Sequence, residues 1–119
     1  MFVLKGILRA ESQEKILLYL LVRERGYGKG IADFYGIALT PVQKQLQRLE
    51  DDGVVASQPL GGMRQFRLNP RYPFIAPLKE LLKQALASYP TDLARELAMD
   101  RRRPRKAGKA VNLVRETKS

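Results

Sequence analysis

The sequence contains no cysteine and no histidine. Without cysteine the chain forms no disulfide and offers no thiolate to a metal ion. Without histidine it lacks both the commonest general base and the commonest transition-metal ligand. These absences exclude nucleophilic triads and zinc chemistry, and no other catalytic constellation is visible. We therefore expect a protein that is not an enzyme and that needs neither a metal nor a cofactor.

Long apolar runs are missing as well. The longest, at residues 16–22, has seven residues, whereas a helix that spans a bilayer needs about 20. The first eight residues are too short for the apolar region of a secretory signal, and Lys5 and Gly6 interrupt them. We therefore expect a soluble protein of the cytoplasm, associated with the nucleoid and without a membrane partner.

Positive charge is abundant and unevenly distributed. The 119 residues give one compact domain and a tail, and 22 Lys and Arg against 12 Asp and Glu give a formal net charge of +10. Residues 1–100 carry 14 basic and 11 acidic side chains, whereas residues 101–119 carry 8 basic and 1 acidic. Such a surplus favours a polyanionic partner, and nucleic acid is the first candidate.

The first part of the chain predicts two helices. Ser12 is expected to cap a core helix in which apolar residues recur at helical spacing until Gly26 ends it. A very short strand at Tyr27 follows, and then a helix of about two turns that ends at Gly36. The second helix is therefore short and lies between two longer elements.

The clearest helix signal is the run from Thr40 to Gln43. Thr40 is expected to be the N-cap, Pro41 suits the first helical position, and Gln43 completes a capping box. The pattern predicts a helix over residues 40–52, closed by Gly53 in the left-handed conformation. Its apolar positions share one face. The opposite, exposed face carries Thr40, Lys44, Gln47, Arg48 and Asp51, with Gln43 to one side.

The sequence then predicts a β-hairpin, with strands at residues 54–58 and 64–68 and a glycine-containing turn at 59–63. Phe66 and Leu68 are expected to point into the core and Arg67 into solvent, which leaves Arg64 near the tip. An amphipathic helix begins between residues 74 and 77 and is ended by Pro90. A final helix is expected from residue 91 to about residue 101.

This order of elements is that of a winged helix-turn-helix, mainly α with a small β-hairpin and therefore α+β, with extra C-terminal helices and a basic tail. The helix at 40–52 would lie in the DNA major groove, about 12 Å wide, and the wing, residues 59–67, on the DNA backbone. We expect residues 1–89 to form this domain, with its dimerisation helix. Residues 90–119 would form a short helix and a basic tail that is disordered when free.

Two runs of residues also resemble a known family. The segment from Ile31 to Val55 resembles winged-helix transcriptional regulators of the ArsR/MarR-like kind. The run from Asn69 to Phe74 is similar, more narrowly, to the small group associated with nucleotidyltransferase domains. The resemblance covers about residues 7–89 and implies a dimeric, sequence-specific DNA-binding protein. The nucleotidyltransferase motif itself is absent, so any such activity would belong to a partner enzyme chain.

The candidate DNA-binding residues fall into three groups. Glutamine can pair bidentately with adenine, and Arg or Lys with guanine, which points to the exposed residues of the 40–52 helix. In the wing, Gly61 and Gly62 allow a tight tip that brings Arg64 and Arg67 close to DNA. In the tail, phosphate or minor-groove contacts are expected from Arg101, Arg102, Arg103, Arg105 and Lys106. The alternatives are a solvated helix face, a hairpin whose charged edges prevent strand pairing, and a solubilising tail.

A leucine stripe in the last amphipathic helix is expected to contribute first to the core and in part to a dimer interface: Leu78, Leu81, Leu82 and Leu86. A two-fold dimer would place two recognition helices about 34 Å apart on a palindromic site. The sequence thus favours a homodimeric repressor that binds double-stranded DNA. Two alternatives stay open: an interaction module or antitoxin-like partner of a nucleotidyltransferase-type enzyme, and a non-specific nucleic-acid binder.

Overall fold

The structure, a computed structural model, describes residues 4, 6–8 and 10–99, with Thr91 described by its backbone alone. Five helices and three strands follow one another along this part of the chain. They are α1 (Glu11–Arg23), β1 (Gly26–Tyr27), α2 (Gly28–Tyr35), α3 (Leu39–Asp51), β2 (Val55–Leu60), β3 (Met63–Leu68), α4 (Ile75–Ala87) and α5 (Thr91–Ala98). The predicted α+β class and the predicted order of elements are confirmed.

The apolar run in α1 occupies the centre of the core. Ile16, Leu17 and Leu18 are at most 1% exposed, because helices, strands and the N-terminal segment surround α1 on nearly all sides. Helices α4 and α5 close the core with Leu82 and Leu97, neither of which is exposed. The domain boundary expected at residue 89 therefore separates two helices that share one core.

Both predicted N-caps are wrong. Helix α1 begins at Glu11 after an extended Ala10, so Ser12 already lies inside the helix. Helix α3 begins at Leu39 after an extended Ala38, and no side chain caps it. Pro41 is tolerated in the first turn, where backbone N–H groups have no intrahelical acceptor. Gln43 then lies more than one turn inside α3, too far along the helix to complete a capping box.

The hairpin is longer, and its turn tighter, than predicted. Strands β2 and β3 pair as far as Leu60 and Met63. The two-residue turn between them, Gly61 and Gly62, has φ values of 59° and 81°, as a type I′ turn requires. Pro59 does not break β2, because β2 is an edge strand of the β1-β3-β2 sheet and can leave one backbone position without a donor.

A half-buried arginine joins α5 to the rest of the domain. Arg23 in α1 donates from Nε to the carbonyl oxygen of Leu97 at 2.8 Å and from Nη2 to that of Glu96 at 3.2 Å. Its guanidinium also lies over the rings of Tyr19 and Phe34, 5.0 and 5.2 Å from the ring centroids. Arg23 therefore binds the carbonyl end of α5, where the helix dipole is negative.

Candidate nucleic-acid interface

Helices α2 and α3 form the helix-turn-helix. Helix α2 ends at Gly36, whose φ of 69° lets the chain reverse within three residues before α3 begins. Ile31 of α2 and Leu46 of α3 are buried in the shared core. This packing turns the opposite face of α3 outward.

The structure exposes all the candidate DNA-binding residues of α3: Thr40, Gln43, Lys44, Gln47 and Arg48. Because Gln43 does not cap the helix, its amide makes no hydrogen bond to the described residues and is free for other contacts. Gln47 differs, because its Nε2 donates to Oδ1 of Asp51 at 2.9 Å. Gln43 and Lys44 thus lie in the first half of α3, and Gln47 and Arg48 lie in its second half. Glu50, Asp51 and Asp52 make its C-terminal end acidic.

Arg48 lies on the flank of α3 that faces the N-terminal segment. It lines an open depression of about 510 Å³ together with Ile7, Gln13, Asp51 and Asp52. At 100° per residue, Arg48 and Glu50 are separated by about 160° around α3. Oε2 of Glu50 accepts a hydrogen bond from Oγ of Ser57, in β2 of the hairpin, at 2.6 Å. Arg48 and the hairpin therefore lie on opposite sides of the exposed face.

The two wing arginines lie on opposite faces of the hairpin. Arg64 shares the face of the buried Phe66 and Leu68, because successive side chains of a strand alternate. Its Nε donates to Oγ of Ser57 in β2 at 2.9 Å. Arg67 is exposed on the other face. The two predicted wing contacts therefore belong to different surfaces of the hairpin.

Sequence reasoning missed the apolar flanks of the wing tip. Leu60 and Met63 pair directly across Gly61 and Gly62, and they are 46% and 47% exposed. The sequence pattern predicts a turn at residues 59–63, so it does not predict that Leu60 and Met63 pair. The two adjacent glycines after Pro59 were the signal that could have predicted this pair. A two-residue glycine turn places the residues on either side of it opposite each other, and an edge strand tolerates Pro59.

The leucine stripe of α4 belongs largely to the core of one chain. Leu82 is fully buried there and has no surface left for a partner, which corrects its assignment to the dimer interface. Leu78, Leu81 and Leu86 are half-buried against the same core. The predicted tail contacts, from Arg101 to Lys106, lie outside the described residues.

Two negative findings concern the described part of the chain. Among residues 4, 6–8 and 10–99 no group of three acidic side chains is arranged to hold a metal ion. No helix in the same residues has the length and apolar character that crossing a membrane requires.

A helix-turn-helix followed by a two-stranded wing defines the class: the chain has the fold of the winged-helix regulators. It is similar to three solved structures of ZitR mutants from Lactococcus lactis. The first has 19% identity and a TM-score of 0.50, covering 71% of this chain and 67% of that one. The second has 21% identity and a TM-score of 0.50, covering 73% and 61%. The third has 17% identity and a TM-score of 0.51, covering 81% and 69%.

At these identities the likeness establishes the fold. It supports the broader resemblance to winged-helix regulators and gives no support to the narrower one with the nucleotidyltransferase-associated group. No family model and no curated protein sequence matches the chain.

Proposed function

We propose that the chain is a transcriptional regulator that binds a specific sequence of double-stranded DNA and acts as a homodimeric repressor. The proposal depends on one observation: the second helix of a helix-turn-helix exposes a polar and basic face to solvent. In this class of fold that helix enters the major groove. A dimer bound at an operator would exclude polymerase sterically, and such a protein would act on the chromosome, in the cytoplasm.

We expect base recognition by Gln43, Lys44 and Gln47 of α3. The free amide of Gln43 can pair bidentately with adenine, and Lys44 can contact guanine. Gln47 keeps its amide oxygen available while Asp51 accepts from its nitrogen. Each good bidentate pair contributes roughly 1–3 kcal/mol of discrimination. The acidic end of α3 would be repelled by phosphates, which favours docking by the N-terminal part of the helix.

Phosphate contacts would come from the flanks of this face. Arg48 lies on one side of α3, and Arg64, held near Glu50, lies on the other. Such contacts fix the register of the protein on the duplex and carry no sequence information themselves. The 8 basic side chains of residues 101–119 would add further backbone contacts.

Selection from a randomised duplex pool tests the proposal. The protein is expected to enrich one palindromic motif, with half-sites about one helical turn apart. Lys44→Ala is expected to weaken binding about tenfold and to relax preference at one or two positions. Lys83→Ala is the matched control, since Lys83 is exposed on α4 and lies on a different element. Absence of any enriched motif would contradict the proposal.

The dimer is tested separately by sedimentation of the free protein. The partly exposed Leu78, Leu81 and Leu86 would supply part of the interface, and Leu82 would not. A concentration-independent monomer that binds single half-sites would refute the homodimer and leave the sequence-specific regulator in place.

The concentration of charge in residues 101–119 favours a second candidate, a non-specific nucleic-acid binder. In that case the exposed face of α3 is an ordinary solvated surface. The same selection distinguishes the two, because a non-specific binder enriches no motif and Lys44→Ala changes its affinity no more than Lys83→Ala does.

A further inference from the structure

Three side chains from three elements form a continuous hydrogen-bonded path between the wing and α3. Nε of Arg64, on β3, donates to Oγ of Ser57, on β2, at 2.9 Å. Oγ of Ser57 donates in turn to Oε2 of Glu50, in the last turn of α3, at 2.6 Å. The hydroxyl uses both of its functions, as donor to the carboxylate and as acceptor from the guanidinium.

The path fixes the direction of the Arg64 side chain. An exposed arginine on a hairpin samples many rotamers, and ordering it on binding costs free energy. Here Nε is already engaged, while the terminal nitrogens have no partner among the described residues and extend from an exposed side chain. Those terminal nitrogens form the fork that pairs with a phosphate.

The spacing of the groups also leaves the outer edge of the Arg64 guanidinium without an ion-pair partner among the described residues. Ser57 stands between the guanidinium and the carboxylate of Glu50, and among the described residues Arg64 has no acidic oxygen within 4.0 Å. A direct ion pair would compete with a phosphate for the same nitrogens. A hydroxyl in between orients the guanidinium without occupying its outer edge.

We propose that Ser57 and Glu50 are positioning residues that hold Arg64 in place for a backbone phosphate of the DNA bound by α3. The inference rests on the proposed function. It goes further because it assigns a role to two residues that touch no DNA, and because it ties the wing to α3 by side chains. Arg67, on the opposite face of the hairpin, has no part in this path.

The first test uses the free, full-length protein and needs no DNA. The order parameter and hydrogen exchange of the Arg64 Nε–H group are measured by NMR in the wild type, Ser57→Ala and Ser57→Thr. We expect an ordered and protected group in the wild type, a mobile one in Ser57→Ala, and recovery in Ser57→Thr, which keeps the hydroxyl. Equal mobility in all three proteins overturns the proposal.

The second test is a double-mutant cycle on the selected duplex. Ser57→Ala is expected to weaken binding about three- to tenfold, the loss that one hydrogen bond accounts for. Its salt dependence should not change, because the charge of Arg64 remains. Arg64→Ala should reduce the slope of log K against log salt by about 0.9. In the Arg64→Ala background, Ser57→Ala should have no further effect.

Controls separate positioning from folding. The midpoint of urea unfolding is measured for each variant, and Ser88→Ala, a substitution of a serine at the end of α4, should leave affinity unchanged. If Ser57→Ala weakens binding by the same factor in the wild type and in the Arg64→Ala background, the proposal is overturned. If the wild type binds no duplex, the proposed function fails and the phosphate contact with it, whereas the NMR result still decides whether Ser57 orders Arg64.

Discussion

At the scale of single residues, Tyr35 links the packing of α2 to the pH dependence of stability. Its hydroxyl donates to the carbonyl oxygen of Lys15 at 2.8 Å, and its ring meets Phe34 edge to face at 4.8 Å between centroids. Burial raises the pKa of the Tyr35 phenol far above its usual value of 10.0, with smaller contributions from the neighbouring Tyr19 and Tyr89. The phenol therefore stays protonated in the folded protein at every pH in ordinary use.

The sign of the resulting pH effect follows from linkage. In the unfolded chain Tyr35 ionises near pH 10, and the folded state resists this ionisation. Its contribution to stability is thus fully present below pH 10 and declines as the pH rises further. We expect the free energy of unfolding, measured in urea between pH 8 and 11, to decrease above pH 10. In Tyr35→Phe the decrease should be less steep by up to about 1.4 kcal/mol per pH unit.

Tyr72→Phe is the matched control for this experiment, since Tyr72 lies in the loop before α4 and its hydroxyl makes no hydrogen bond to the described residues. Tyr35→Phe should itself cost about 1 kcal/mol at pH 8, because the Lys15 carbonyl loses its donor. Identical pH profiles for the wild type and Tyr35→Phe would show that the buried phenol does not control alkaline stability.

The exposure of single residues could be predicted more reliably than their contacts. The angular positions of Lys44 and Arg48 on α3 follow from helical geometry alone, and the structure exposes both. The path from Arg64 through Ser57 to Glu50 could not be predicted, because it depends on the register of β2 against β3. A hairpin turn of five residues instead of two changes which side chains lie opposite each other.

At the scale of whole elements, one side chain of α1 holds the C-terminal end of α5. Two carbonyl oxygens at its C-terminal end, those of Glu96 and Leu97, accept hydrogen bonds from Arg23. Helix α5 has only eight residues, too few to be stable alone in water. Its position therefore rests on Leu97 in the core and on the guanidinium of Arg23.

Arg23→Ala is expected to lower the free energy of unfolding by about 2–3 kcal/mol, because it removes both the hydrogen bonds of a charged donor and the packing of the side chain against two aromatic rings. Hydrogen exchange should accelerate in α5 more than in α3. Arg25→Ala is the matched control, because Arg25 is exposed and lies two residues away. Uniform acceleration across all helices would indicate that Arg23 supports the whole core and not α5 in particular.

The ends of the helices show what the sequence could predict at this scale. Gly36 closes α2 and Gly53 follows the end of α3, both with positive φ, as predicted. The predicted end of α1 at Gly26 is wrong, because α1 ends at Arg23 and the left-handed residue that closes it is Glu24, with a φ of 73°. The N-caps of α1 and α3 are predicted two residues too late, at Ser12 and Thr40. Ala10 and Ala38 precede these helices without any side-chain cap, so tertiary packing determines where each helix begins.

At the scale of the whole molecule, the positive charge is concentrated in residues 101–119 of the sequence. Residues 1–100 carry a small positive surplus, with acidic groups placed at the C-terminal end of α3, whereas residues 101–119 carry 8 basic side chains and 1 acidic. Sequence recognition and general attraction to a polyanion would then belong to different parts of the protein. The two contributions can be separated by experiment because they respond differently to salt.

To separate sequence recognition from general attraction to a polyanion, five basic residues of the chain are replaced by glutamine: Arg101, Arg102, Arg103, Arg105 and Lys106. The formal net charge falls from +10 to +5. We expect affinity at low salt to decrease, and the slope of log K against log salt to become shallower by up to about 4.5, because a protein that neutralises fewer phosphates releases fewer counterions on binding. Binding is measured by fluorescence anisotropy over a salt series from about 50 to about 300 mM.

The motif selected from a random pool should be unchanged in this variant, because base contacts come from α3. A paired substitution on α4, Lys79→Gln with Lys83→Gln, controls for general loss of charge and should change the slope much less per residue. If the five substitutions abolish the motif, α3 alone does not determine specificity, and the basic segment takes part in base or minor-groove recognition. If instead they leave the salt slope unchanged, the segment does not contact the duplex, and the positive charge of the folded domain suffices for phosphate binding.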